Sequence, residues 1–324
     1  MESEARQPER GIGSIINQNL RYLINGKWLL ANSHIPSCAH GVPADFFGIC
    51  VASSPALAAD DYVTARLREL GVTCVRLDYS YDSPKSHTHR FLEHLLKEGF
   101  RVLLHLVQPI EEARQMPDRI VNDRWRHFVV ATLDACAGRI EMVEVGATCN
   151  RRKWSGYTIR SFLAAWRIAY EEATRRSIVL AGPNVTDFEP VYNVGILGIL
   201  ARQGMLPAVH TDNLFVERAT EPESFDHKIA GRHVGQWLKF NLVKKANWLN
   251  AVSRHHSIQQ TFCTHVAWSL RRINRTLPDT EEKQADYLTR YACLAAASGA
   301  LNRIYWGPLI GQREGLIDDG TSEY

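Results

Sequence analysis

The chain has 324 residues, 45% of them hydrophobic and 23% charged, and a net charge of +3 with histidine neutral. That length and apolar content can bury a large core without disulfide or metal staples. The weak positive charge is spread along the chain, and with no RNP, zinc-finger or helix-turn-helix pattern it excludes a dedicated nucleic-acid binder.

The predicted elements alternate from about residue 46 onward. FFGICVA (46–52) is a β-rich run. DDYVTARLRELG (60–71) has acidic residues at its start, apolar residues at helical spacing and a glycine stop. Strand VTCVRLDYS (72–80) precedes helix HRFLEHLLKEGF (89–100), and strand RVLLHLVQP (101–109) precedes helix RWRHFVVATLDACAG (124–138). Next come strand EMVEVGATCN (141–150) and the long amphipathic helix YTIRSFLAAWRIAYEEATRR (157–176). Strand SIVLAGPNV (177–185), helix NVGILGILARQG (193–204) and strand LPAVHTDNLF (206–215) follow. Residues 227–256 read as helix in more than one piece, then come strand QTFCTHVAW (260–268), helix EEKQADYLTRYACLAAASG (281–299) and a last strand ALNRIYWGPLI (300–310).

Eight strands with seven intervening helices predict a (β/α)8 TIM barrel rather than an open sheet. No Gly-rich phosphate loop follows the first strand, where VASSPALAADD stands instead. The layout expected is an N-terminal extension over 1–45 and a barrel over 46–324. In the extension, RYLINGKWLL carries Asn-Gly between apolar runs, a hairpin signal, and is a candidate plug for the N-terminal end of the barrel. No eighth helix follows the last strand. The N-terminal segment, a partner or second copy of the chain, or residues beyond 324 are the three expected ways of covering that gap.

The seven cysteines, Cys38, Cys50, Cys74, Cys136, Cys149, Cys263 and Cys293, include no C-x-x-C and read as reduced, mostly core, thiols. MESEARQPER is too charged for a secretory signal, and no apolar stretch is long enough to span a bilayer. The expectation is a cytoplasmic protein with no membrane span.

A barrel of this kind carries its active site at the C-terminal ends of its strands. Those ends hold Arg76 and Asp78, His105, Ala147-Thr148-Cys149-Asn150, Asn184 to Asp187, His210 and Asp212, Thr264-His265, and Tyr305-Trp306. Here the sequence resembles the clan A glycoside hydrolases, and family 39 most closely, over about residues 46–320. VEVGATCNRRKWSGY (143–157) resembles the family's strand-4 pattern W-E-I-G-N-E-P-N followed by W-x-G-Y. TFCTHVAW (261–268) is similar to the strand-7 pattern closed by T-E, and EKQADYLTRYACLAAASGALNRIYW (282–306) looks like the last helix and strand.

The resemblance implies two catalytic glutamates, one a nucleophile and one an acid then base, with carboxyl groups ~5 Å apart. Thr148 stands at the acid/base position, His265 at the nucleophile position, and Ala147 replaces the asparagine that holds the sugar 2-hydroxyl in the family. Glu144 matches the earlier glutamate of the motif. The resemblance also implies that Arg76 is the strand-2 arginine supporting the nucleophile and that Trp306 is the aromatic platform under the sugar. Asp78, His105, Asn150, His210 and Asn213 complete the expected binding set. Asp212, Glu217 and Asp187 are the expected substitutes should a relocated carboxylate pair act, with Asp212 and Asn213 the preferred pair beside strand 6. Thirteen histidines form no H-E-x-x-H, so neither a metal nor another cofactor is expected. The expected function is a noncatalytic, carbohydrate-binding protein of bacterial polysaccharide or lipopolysaccharide metabolism, binding an oligosaccharide or polysaccharide. An active glycosidase or transglycosidase using relocated carboxylates is the alternative.

Overall fold

The structure is a computed structural model that describes residues 11–24, 41–81, 86–214, 221–226, 233, 237–268, 280–311 and 314–317. Eight parallel strands close into one barrel in chain order: β1 Phe47–Val51, β2 Cys74–Tyr79, β3 Arg101–Leu106, β4 Met142–Val145, β5 Leu180–Thr186, β6 Val209–Asn213, β7 Gln260–Val266 and β8 Arg303–Trp306. β8 pairs with β1 through Phe47–Ile304, Gly48–Tyr305 and Ile49–Trp306, which leaves no free sheet edge. The helices are α1 Gly11–Ile24, α2 Leu57–Glu69, α3 His87–Lys97, α4 Ile110–Gln115, α5 Arg119–Cys136, α6 Arg152–Ser155, α7 Ile159–Arg175, α8 Pro190–Gln203, α9 Leu242–His255 and α10 Thr280–Ala297. Every predicted strand overlaps an observed one, and the (β/α)8 class is the fold found. The short helices α4 and α6 are additions that the sequence reading passed over as loop.

Helix starts are set by local chemistry at the C-terminal end of the barrel. Ser86 accepts from the Thr88 amide, Asp118 from the Ile120 and Val121 amides, and Asn241 from the Lys244 amide. Thr158 and Ser161 form a reciprocal capping box on α7.

The barrel interior is layered. At the N-terminal end Arg303 is almost fully buried and reaches Asp45 and Glu141, which Arg101 also pairs. Above this ionic ring lies an apolar layer of Cys74, Leu103, Met142, Ala181, Val209, Phe262 and Tyr305. The Arg303 guanidinium sits 4.9 Å over the Phe262 ring and joins the two layers. A polar layer then lies under the C-terminal mouth. Outside, the strands' other faces pack against the helices in two large hydrophobic clusters.

The N-terminal extension departs from expectation. Arg21–Ile24, the expected first arm of the hairpin, closes helix α1, while Asn25-Gly26 and the expected second arm lie outside the described residues. α1 neither plugs the barrel nor occupies the place of an eighth helix. It lies on the outer face of α8, where Ile15 fills the space over Gly195 and Gln18 that over Gly198. A Cβ at Gly195 would meet Ile15 at 2.6 Å, so the close approach requires glycine. Asn19 donates to the Val191 carbonyl, and Tyr22 meets His255 of α9 edge-on. Among the described residues, ionic pairing of Arg303 lines the N-terminal end. Beyond β8, Leu309 donates to the Cys50 carbonyl, and Leu316 packs against both large clusters over the β8–β1 seam.

Five described cysteines are buried, Cys293 is exposed, and all six are free thiols; Cys38 lies outside the described residues. No described helix is long and apolar enough to cross a membrane.

Candidate functional site

The polar layer under the mouth is built around Glu144, which is wholly buried on β4. Arg76 of β2 donates from Nε to Glu144 Oε2 at 2.8 Å. Glu144 Oε1 accepts from Thr264 Oγ1 at 2.6 Å and from Asn184 Nδ2 at 2.9 Å. Asn184 Oδ1 accepts in turn from Asn213 Nδ2 at 3.1 Å and from the Thr148 amide at 3.0 Å. Five strands are thereby tied together by side chains beneath the opening. Burial raises the Glu144 pKa, but the Arg76 charge, helped by His105 and by the Thr264 and Asn184 hydrogen bonds, brings it down to about 2. The Arg76 pKa is raised: burial works against its charge, and Glu144 and Asp78 outweigh it.

Two irregular strands supply this layer. Pro183 interrupts β5, and the register to β6 shifts between Pro183 and Val185, leaving Asn184 at φ 55° with its side chain turned inward. On β7 the register shifts between Cys263 and Val266, so consecutive residues Thr264 and His265 both face the opening. Gly146 has φ 120°, and a Cβ there would meet the Pro183 carbonyl oxygen at 2.1 Å, so β4 can approach β5 only as glycine.

Asp78 is the exposed carboxylate above this floor. Its Oδ1 accepts from Arg76 at 2.9 Å and from His105 Nδ1 at 2.8 Å. Desolvation inside the funnel raises its pKa, and the charges of Arg76 and His105 overcome this and hold it well below the usual carboxylate range. His105 is buried, and its Nε2 is without a hydrogen-bond partner. His265 is half-buried, with Nδ1 3.5 Å from Cys50 Sγ. Burial first, and then the Arg76 charge, lower its pKa to about 4, so it is neutral at pH 7. Burial pushes the Cys50 thiol up to about 12, which removes it as a thiolate nucleophile. Thr148 is half-buried at the end of β4 with φ 47°.

On the rim between β4 and β5, Arg151 donates from one nitrogen to Asp187 at 3.0 Å and Glu189 at 2.7 Å. Asn150 is nearly buried and exchanges two hydrogen bonds with the Thr186 backbone, so it clamps the loops rather than presenting a free amide. The described residues contain no group of three or more His, Cys, Asp or Glu side chains arranged to hold a metal ion.

Arg76, Asp78, His105, Asn213, Thr148 and His265 thus meet at the mouth, and Asp187 lies on its rim. Three expected residues are placed elsewhere. His210 and Asp212 share the outer face of β6, under α8 and α9. His210 bonds Asn193 and Ser253, and Asn193 donates to Asp212 Oδ2 at 2.8 Å. Strand alternation sends Thr211 and Asn213 inward and these two outward, so neither can touch a ligand in the mouth. Trp306 is likewise wholly buried under α10, stacked with Trp268 at 6.4 Å and edge-on to Tyr291 at 6.0 Å. It is core, not a platform. Glu217 lies outside the described residues. Sequence reasoning missed Arg151 and the part played by Asn184 and Thr264. Pro183 inside a strand pattern was the available sign of the β5 irregularity.

No family model and no curated protein matches the sequence. Solved structures do. A family 39 glycoside hydrolase from the gut symbiont Bacteroides cellulosilyticus WH2 aligns with TM-score 0.62 at 15% identity, over 83% of this chain and 57% of its own. The chain shares the (β/α)8 barrel fold of this glycoside hydrolase. A glucosidase from Croceicoccus marinus aligns with TM-score 0.59 at 13% identity, over 85% of this chain and 60% of its own. The virulence factor SghA from Agrobacterium tumefaciens aligns with TM-score 0.54 at 10% identity, over 90% and 94%. The chain spans about three fifths of the length of the first two.

Proposed function

We propose that this glycosidase-like barrel binds carbohydrate at its mouth without performing the double displacement of retaining glycosidases. The observation that carries the reading is that the two carboxyl groups under the mouth, Glu144 and Asp78, both pair with the one guanidinium of Arg76. Double displacement needs one carboxyl that holds a proton near neutral pH and a second that does not. Glu144 and Asp78 share Arg76 and are both ionised, so neither can protonate a leaving group. The carboxyl pushed up by burial, Asp212 at about 8, lies behind the barrel wall. Thr148 is too weak an acid, and His265 is unprotonated at pH 7. What remains suits recognition: an ionised, exposed Asp78 accepts sugar hydroxyls, and the tied floor holds it in place.

Purified protein is expected to bind oligosaccharide, measured by calorimetry, and to leave aryl glycosides intact. Asp78→Asn is expected to weaken binding about tenfold, the loss of one charge-assisted hydrogen bond. The setting we propose, bacterial polysaccharide or lipopolysaccharide metabolism, rests on the sugar-binding reading together with the cytoplasmic location expected from the sequence.

One observation favours a second reading. Asp187 and Glu189 both bond one Arg151 nitrogen, which brings two carboxylates close together on the rim. Aryl-glycoside turnover that is lost in Asp187→Asn or in Glu189→Gln would establish an active enzyme and overturn the first reading.

A further inference from the structure

Helix α1 has two apolar faces, and packing on the barrel accounts for one. Ile15, Gln18, Asn19 and Tyr22 are buried against α8 and α9. Ile12, Ile16, Leu20 and Ile24 stand every fourth residue on another face, one continuous i±4 ridge. They are 67%, 51%, 52% and 82% exposed, and Leu23 beside them is 51% exposed. A contiguous apolar patch of this kind marks a partner or a membrane. Charge discriminates between the two. Helices α1, α8 and α9 have 14 residues each and adjoin one another, α1 along α8 and Tyr22 on His255. None of the three contains an aspartate or glutamate, whereas the whole chain has 35 in 324 residues. Each ends on cations: Arg21, Arg202, and Arg254 with His255. Helix dipoles favour such cations, but they equally favour acids in the first turns, and those are missing. Arg21 and Arg254 are exposed, flank the Tyr22–His255 contact, and make no ion pair among the described residues. The two acids of the flanking α7, Glu171 and Glu172, are paired with Arg126, Arg175 and Arg176.

We propose that α1, with the acid-free wall it shares with α8 and α9, docks on an anionic lipid surface. The ridge enters the boundary between headgroups and acyl chains, and Arg21 and Arg254 meet lipid phosphates. Amphipathic helices bind membranes in this way, through buried apolar area together with attraction between cations and anionic lipid. A second copy of the chain fits the same face less well. The ridge and Leu23 amount to about three fully exposed aliphatic side chains, roughly 200–350 Å². A stable protein complex takes about 800 Å² from each partner. A two-fold contact through α1 would also bring the same cations together with no acid on either side to offset them. A bilayer sets no such minimum of area, and each cation adds to the binding.

The test is co-sedimentation of the full chain with vesicles of phosphatidylcholine alone or with ~30 mol% phosphatidylglycerol added. Wild type is compared with Arg21→Gln, Arg254→Gln and the double variant Ile16→Gln/Leu20→Gln. Wild type is expected to sediment with the anionic vesicles, to stay in solution with phosphatidylcholine, and to bind more weakly as salt rises from ~0.1 M to ~1 M. Each arginine variant is expected to bind roughly fivefold more weakly, and the double variant roughly tenfold or more. All three are expected to melt with wild type, since the substituted side chains are exposed. Sedimentation velocity without vesicles is expected to show a monomer. A dimer that the double variant abolishes overturns the lipid surface in favour of a second copy. Absent vesicle binding with a lowered melting temperature in the double variant overturns it in favour of a ridge covered by the chain's own residues. Equal binding to both vesicle types overturns the anionic class, and a wild type that binds neither overturns the proposal outright.

Discussion

Glu144 and Asp212 are two carboxyl groups on adjacent parts of one barrel with opposite fates. Glu144 is ionised because a guanidinium and two neutral donors converge on it; Asp212 is protonated because burial outweighs the Asn193 hydrogen bond. Removing Glu144 leaves a buried Arg76 whose remaining ion pair among the described residues is with the exposed Asp78. Glu144→Ala is expected to cost ~3–5 kcal/mol in urea unfolding, in line with breaking a buried pair from one side. Asp212 gives the opposite pH signature. Its folded pKa of about 8 lies above the unfolded value of 3.8, so the folded state binds the extra proton. Its contribution is complete below about pH 4 and is lost as pH rises through 8. Asp212→Asn, which mimics the protonated acid, is therefore expected to melt closest to wild type near pH 4 and increasingly above it up to pH 8.5, by about 2 °C per ~1 kcal/mol regained. Sugar binding is expected to be unchanged by Asp212→Asn, since its side chain lies under the helices.

At the scale of elements, β–α alternation was plain in the sequence because buried strands and amphipathic helices have different periods, and each predicted strand overlaps an observed one. The site was less legible. Alternation determines that His210 and Asp212 share a face and that Asn213 takes the other, so the expected Asp212–Asn213 pair could not both have pointed inward. Which face is inward is decided by helices from distant sequence, here α8 and α9 offering Asn193 and Ser253 to His210. Trp306 was misplaced for the same reason, its neighbour Tyr305 being the inward residue. Strands β5 and β7 break alternation, and no counting rule locates Asn184 or Thr264. The helix α1 was hidden by an Asn-Gly signal just past its end. Its docking depends on the absent side chains of Gly195 and Gly198. Gly195→Leu is expected to displace α1, costing ~1–3 kcal/mol as overpacking does. Limited proteolysis should then cleave within 11–24 while the barrel remains resistant.

For the whole molecule, charge is concentrated in ion pairs at the mouth. The chain carries +3 overall, and there Arg76 pairs with Asp78 and Glu144 while Arg151 pairs with Asp187 and Glu189. Binding of a neutral sugar through hydrogen bonds releases no counterions. Its affinity is expected to stay within about twofold across the range where the Debye length falls from ~10 Å to ~3 Å. Calorimetry at low and high salt checks this.

The ionic ring at the other end of the barrel has a consequence for synthesis on the ribosome. Three of its four members, Asp45, Arg101 and Glu141, come from the first half of the chain, and the fourth, Arg303, opens the last strand. Until Arg303 emerges, two carboxylates share one arginine, and the edges of β1 and β7 have no neighbour. Completion of the cylinder is thus deferred until the eighth strand has been translated, and Arg303 serves as the latch that the earlier residues wait for.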